Sequence, residues 1–431
     1  MEAVRYLGAL ALGAWLCGLP HTASAQSADP LEGVTIGAIR VIGLQRLDPD
    51  VVERHLISRA GEPFHRANLA PDRRALDELR LFASVTIEPI LEGSTVVVVV
   101  TVAETLKLLP TLLMRVTDEN GVSAGGGLRG INLFGRGTLT NVGILFGGET
   151  SVTAAVEAPT ITPGTWRWRA GFRFVNRENV LYSFDERSST ANLRFSRIFP
   201  HGFRVGGVVD VLAVDTGGST AALAADGTDI IPSVGGFATF DTLDSTTNPR
   251  QGTWAEVQIE HMGVDAASWT FTLDGRRFQP FTERHGLGVF ALATVQTGVV
   301  GATLPEYLQF ALGGANSVRG WSLGSRQGRN QFIGGLEYAF VAVPVRHFRV
   351  KGMNFYGGVQ AVAFVDTGLA WNSRTDFDFQ SGITGYGIGL RLLVPFVDLV
   401  RLDLAWGEPG RGPAFCFGVS LKATRQRQRV R

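Results

Sequence analysis

Trp166-Arg167-Trp168-Arg169-Ala170-Gly171-Phe172-Arg173-Phe174 decides the fold of this chain. Successive side chains of a strand point to opposite faces. Here Trp166, Trp168, Phe172 and Phe174 share one face, and Arg167, Arg169 and Arg173 share the other. The same alternation returns at 359–371, where Val359, Ala361, Ala363, Val365, Leu369 and Trp371 oppose Gln360 and Asp366. Tyr386, Ile388, Leu390, Leu392 and Val394 oppose Arg391, and Val400, Leu402, Leu404 and Trp406 oppose Arg401 and Asp403. A soluble sandwich has this period too. The quantity of aromatic surface, with no helical pattern after residue 105, favours a transmembrane barrel whose apolar face meets lipid and whose polar face lines a lumen. About sixteen antiparallel strands are expected from Leu108 onward, at roughly twenty residues each, which suffices for spans of ~10 residues plus turns.

Composition agrees with that reading. Of 431 residues only 18% are charged, 54 are glycine, and 40 basic side chains balance 39 acidic ones. Near-neutrality gives no reason to expect nucleic acid as a partner. No apolar run after the first thirty residues approaches the ~20 needed for a membrane helix. At the N-terminus, Arg5, an apolar stretch at 6–19 and Ala23-Ser24-Ala25 predict a signal peptide over 1–25. Cys17 lies inside it, and Leu16 before it makes a poor lipoprotein site. Cys416 is then the single remaining cysteine, so no intrachain disulfide is expected.

A short linker, 26–32, leads to a separate module at 33–104. It reads as a strand ending at Gly43, a helix opened by Asp48-Pro49, a second helix from about Asn68 to Leu79, and strands at 83–90 and 96–103. The run of valines from Val96 to Val100 is apolar on both faces and suits a central strand.

This β-α-α-β-β order resembles a POTRA domain, the periplasmic module of the BamA/TamA superfamily of outer-membrane proteins. The resemblance includes Ile39-Arg40-Val41-Ile42-Gly43, Gly61-Glu62-Pro63-Phe64 and Leu81-Phe82-Ala83-Ser84-Val85. It continues into the barrel (105–421) through Gly130-Ile131-Asn132-Leu133-Phe134-Gly135-Arg136-Gly137, Asp241-Thr242-Leu243-Asp244, Asn248-Pro249-Arg250-Gln251-Gly252, Gly313-Gly314 and Val318-Arg319-Gly320-Trp321. Such a chain would be a short, single-POTRA form, located in the bacterial outer membrane with the POTRA domain in the periplasm. The resemblance implies that the edge strand Ser84, Val85, Thr86, Ile87 and Glu88 receives extended client by strand addition. Pro89 shortens that edge, and an edge proline is also an ordinary guard against aggregation.

The resemblance also implies that the Val318-Arg319-Gly320-Trp321 loop folds into the lumen. Parity then offers partners: Phe332, Leu336, Tyr338 and Phe340 outward place Glu337 inward, and Asp366 is inward on the next strand. A latch of Arg319 with Glu337 and Asp366 is expected, against the alternative of a solvated loop arginine. Arg167, Arg169, Arg173 and Arg194 form a basic wall with Glu256 and Glu260 farther round, which either keeps the lumen wet or is neutralised by those acids.

The last strand is expected at 415–421, followed by a basic tail at 422–431 that is either solvated or near anionic headgroups. The seven histidines do not cluster, and no metal spacing, nucleophile elbow or phosphate loop occurs, so neither enzyme activity nor a cofactor is expected. The implied function is an outer-membrane insertase or translocase. Its partners would be unfolded outer-membrane or secreted clients, outer-membrane lipid and periplasmic chaperones. The alternative is a passive pore or envelope-structural barrel without client handling.

Overall fold

The computed structural model describes residues 30–420 apart from 46, 80, 105–106, 118–119, 132, 134–137, 159–165, 246–247, 351–352 and 395–397. The expected signal peptide, linker positions 26–29, most of the 130–137 motif, Leu421 and the basic tail lie outside the described residues.

Three strands and two short helices form the N-terminal domain: β1 (Ile36–Ile42), α1 (Pro49–Glu53), α2 (Leu69–Glu78), β2 (Phe82–Glu92) and β3 (Thr95–Glu104). Asp48 starts α1 because its carboxylate accepts the Asp50 amide at 3.1 Å and Pro49 is preset for the first turn. The sheet order is β1-β3-β2, with β1 parallel and β2 antiparallel to the central strand. Val96, Val98 and Val100 pack on Val52, Leu56, Phe64 and Leu76, and all seven are buried. Asp72 on α2 is also fully buried; it accepts the Ser58 hydroxyl at 2.6 Å, so its charge is not left bare.

Sixteen strands make the second sheet: β4 (Leu108–Thr117), β5 (Gly121–Ile131), β6 (Leu139–Gly147), β7 (Glu149–Ala158), β8 (Trp166–Asn179), β9 (Phe184–Ile198), β10 (Phe203–Asp215), β11 (Thr228–Asp241), β12 (Gly252–Met262), β13 (Ser268–Pro280), β14 (His285–Gln296), β17 (Asn330–Val350), β18 (Met353–Trp371), β19 (Ile383–Val394), β20 (Asp398–Trp406) and β21 (Ala414–Ser420). Each pairs antiparallel with the next, and the long loop between β14 and β17 carries the small hairpin β15 (Phe310–Leu312) and β16 (Arg326–Gly328). The sheet curls until β21 lies beside β4, yet no backbone ladder joins those two among the described residues. The barrel is therefore nearly closed, with one seam. Its outward face is apolar: Leu112, Phe146, Val257, Tyr386 and Ile388 are each more than half exposed. A protein in water rarely displays so large a patch, whereas lipid matches it.

β4 begins at Leu108, and Pro110 lies within the strand and pairs in register with Leu128. A seam strand tolerates proline more readily than a central one, since one of its sides lacks a ladder. At the end of the barrel nearest the N-terminal domain, Ile131 and Leu139 join that domain's core, and Arg74 of α2 pairs with Asp241 at 2.7 Å. We call this the domain end and the opposite one the loop end.

Candidate functional site

The β14–β17 loop turns back into the lumen and fills its loop end. Leu304, Tyr307 and Leu308 pack against the inward residues Phe184, Leu212, Ile231 and Met262 of the barrel wall. The Tyr307 hydroxyl donates to Asp229 at 2.6 Å. Farther along the loop, Leu312 and Val318 are fully buried against Leu292, Ile333 and Ile383. A sixteen-stranded barrel would otherwise leave an aqueous channel; the loop occupies that space.

Arg319 is carried to the end of this insertion and has no solvent exposure. Its guanidinium grips Asp366 with two bonds, Nε to Oδ2 at 2.7 Å and Nη2 to Oδ1 at 3.0 Å. Nη1 reaches Asp403 at 2.8 Å and Glu337 at 3.4 Å, and the Phe364 ring lies under the group at 3.2 Å. Arg391 completes the cluster, donating to Glu337 at 2.7 Å and to Asp403 at 2.5 Å. Arg401 donates to the Ala315 carbonyl at 2.6 Å and to Asn316 at 3.0 Å, holding the loop just before the arginine. Three arginines thus meet three carboxylates from β17, β18 and β20. Charges this deep are tolerable only when paired and hydrogen-bonded, so the network specifies one position for the loop.

The neighbouring residues explain the rest of the motif. Gly320 sits at φ +88 with a would-be Cβ 2.5 Å from the Trp406 carbonyl, a place only glycine fits without strain. Gly385 gives the Arg319 carbonyl its room from the facing strand. Trp321 donates Nε1–H to the Thr384 carbonyl at 2.8 Å, and the Gly320 carbonyl accepts the Glu408 amide at 3.0 Å. Glu408 in turn accepts the Ser322 hydroxyl at 2.6 Å. That bond, foremost, holds the Glu408 carboxyl below its ordinary value. Val318 contributes packing alone.

Of the residues singled out from the sequence, Val318, Arg319, Gly320, Trp321, Glu337 and Asp366 come together at one place. Ser84, Val85, Thr86, Ile87 and Glu88 lie elsewhere, on the edge strand β2 of the other sheet. Asp403 and Arg391 were not nominated as partners of the loop. Parity had placed both inward, and the missing step was the strand register, which sets Asp403 opposite Gly389 and Arg391 opposite Gln360. On the basic wall, Arg194 pairs with Glu256, while Arg173 lies 3.6 Å from Glu149, which also binds Arg115 at 2.8 Å. Among the described residues no group of His, Cys, Asp and Glu is arranged to hold a metal ion.

A lipid-facing barrel with a buried, arginine-latched loop and an N-terminal α+β domain defines a particular class of outer-membrane protein. A model of the Omp85 superfamily domain matches residues 132–422, and the chain belongs to that superfamily. Its barrel is of the BamA/TamA type and resides in the outer membrane, in a family concerned in general with protein insertion or translocation. Among solved structures, BamA from Haemophilus ducreyi lacking POTRA domains 1-3 is similar at TM-score 0.57 and 13% identity, covering 89% of this chain and 83% of that one. CdiB from Acinetobacter baumannii is similar at 0.55 and 13%, covering 90% and 72%, and CdiB from Escherichia coli at 0.50 and 16%, covering 94% and 91%. At these identities the likeness concerns the fold. No curated protein matches the sequence.

Proposed function

We propose that this protein is an outer-membrane insertase or translocase that receives unfolded client proteins through its N-terminal domain and assists their insertion into, or passage across, the membrane. In this reading residues 1–25 are removed as a signal peptide, 26–32 form a linker, and 33–104 form a single POTRA domain in the periplasm. Residues 105–421 make the barrel, followed by a basic tail at 422–431. The β2 edge, Ser84 to Glu88, takes an extended client segment, and chaperones of the periplasm deliver it. No nucleotide or cofactor enters; the client's own folding supplies the driving force, so the role is not enzymatic.

The observation that carries the reading is the seam. Among the described residues β21 has 7 residues and β4 has 10, against 21 and 19 for β17 and β18, and no ladder joins β21 to β4. Unpaired edges bind other strands, and a short hydrophobic wall thins the surrounding bilayer. Both effects favour entry of a client strand at this position. The loop-filled lumen speaks against the alternative of a passive pore. The deciding experiment compares outer-membrane protein content with and without this protein. Selective loss of one or a few barrels or surface proteins supports the proposal; an unchanged profile with altered solute uptake supports the pore.

A further inference from the structure

We infer that the outward face of β8 and β9, at the domain end, binds the phosphate of a glycerophospholipid, with Arg197 as the donor. Leu193, Phe195 and Arg197 follow one another on the lipid-facing side of β9, and the first two are 49% and 41% exposed. Arg197 stands one residue from the strand's end at Ile198, so its guanidinium is at the border of the apolar band. Its cross-strand partner is Trp166, whose ring stacks on Phe195 with centroids 4.8 Å apart. The guanidinium carbon lies 5.7 Å from the Trp166 centroid and 5.2 Å from that of Phe199, which itself lies 6.0 Å from Phe203. Phe199 and Phe203 are both exposed outward at the same end.

The lumenal arginines Arg173, Arg177 and Arg194 each have a carboxylate nearby. Arg197 has none among the described residues, although it is held beside aromatic rings, where a cation is stabilised. A guanidinium facing the membrane border needs acceptors for its N–H groups. The phosphodiester of a lipid headgroup offers two oxygens and a negative charge at that depth, matching the guanidinium fork. Aromatic side chains favour the same headgroup level. The choice of a glycerophospholipid rests on the proposed periplasmic placement of the domain end.

Native mass spectrometry of the full chain in detergent, titrated with phosphatidylglycerol and separately with diacylglycerol of the same acyl chains, tests this site. Arg197→Gln is expected to weaken phosphatidylglycerol retention about tenfold, as for loss of a charge-assisted bond. Arg197→Lys should retain an intermediate share, and diacylglycerol retention should not change. Heat-modifiable gel mobility verifies that the variants are folded. Equal phosphatidylglycerol retention by wild type and Arg197→Gln overturns the inference: the side chain then merely reaches water. A parallel fall in diacylglycerol retention also overturns it, assigning the binding to the rings. This assay is blind to orientation in the cell, which is read separately by protease access to the N-terminal domain in intact cells.

Discussion

Two stretches of the barrel wall differ sharply. Across β17 to β20, every strand pair is laddered, and three arginines and three carboxylates tie the inserted loop to the wall from inside. Only one strand away, β21 meets β4 with no ladder among the described residues. The latch and the seam are thus near neighbours, and the rigid region borders the weak one. A wall held so firmly beside an unpaired edge confines opening to that edge.

The largest test of this contrast is Arg319→Ala. It removes the twin bond to the buried Asp366 and one of the contacts to Asp403, which keeps Arg391, and should cost about 3–5 kcal/mol. The urea midpoint of the purified barrel, read by heat-modifiable mobility, reports this; an unshifted midpoint would remove the latch from the account. Exchanging the charges of Arg319 and Asp366 should recover little, because the carboxylate then placed at 319 faces Asp403. Gly385→Ala comes next, at about 2–3 kcal/mol by the same measurement, since its new methyl meets the Arg319 carbonyl.

Hydrogen exchange compares the two regions directly. Amides of β4 and β21 should exchange at least about tenfold faster than those of β17 and β18, which corresponds to roughly 1.4 kcal/mol of local opening. Uniform protection around the barrel would contradict a weak seam. Trp321→Phe, which loses the bond to the Thr384 carbonyl, should cost about 1 kcal/mol. The smallest effect is at Glu408. Its carboxyl is depressed when folded, so the contribution is present above the ordinary carboxylate pKa and fades as pH falls through the lower folded value. Acid titration of loop mobility should show this step in wild type and lose it in Glu408→Gln.

Much of the wall was legible in single strands. Trp166 to Phe174, and the alternations around Asp366, Arg391 and Asp403, fix which side chains face inward, because parity in a strand is strictly two. Once the family resemblance placed the loop in the lumen, Asp366 and Glu337 could be named as partners for Arg319 on that ground. Asp403 could not, since nothing local sets which inward acid on β20 comes level with the loop.

The sequence alone determined the class of fold and the inward and outward faces, and its resemblance to a known family supplied the motif expected in the lumen. The faces follow from alternation, which is local to each strand. Tertiary structure decided the rest: the threefold acidic grip on Arg319, the loop packed into the loop end of the lumen, and the absence, among the described residues, of a ladder between first and last strands. Those depend on register and curvature accumulated over sixteen strands, which place residues far apart in sequence at the same height.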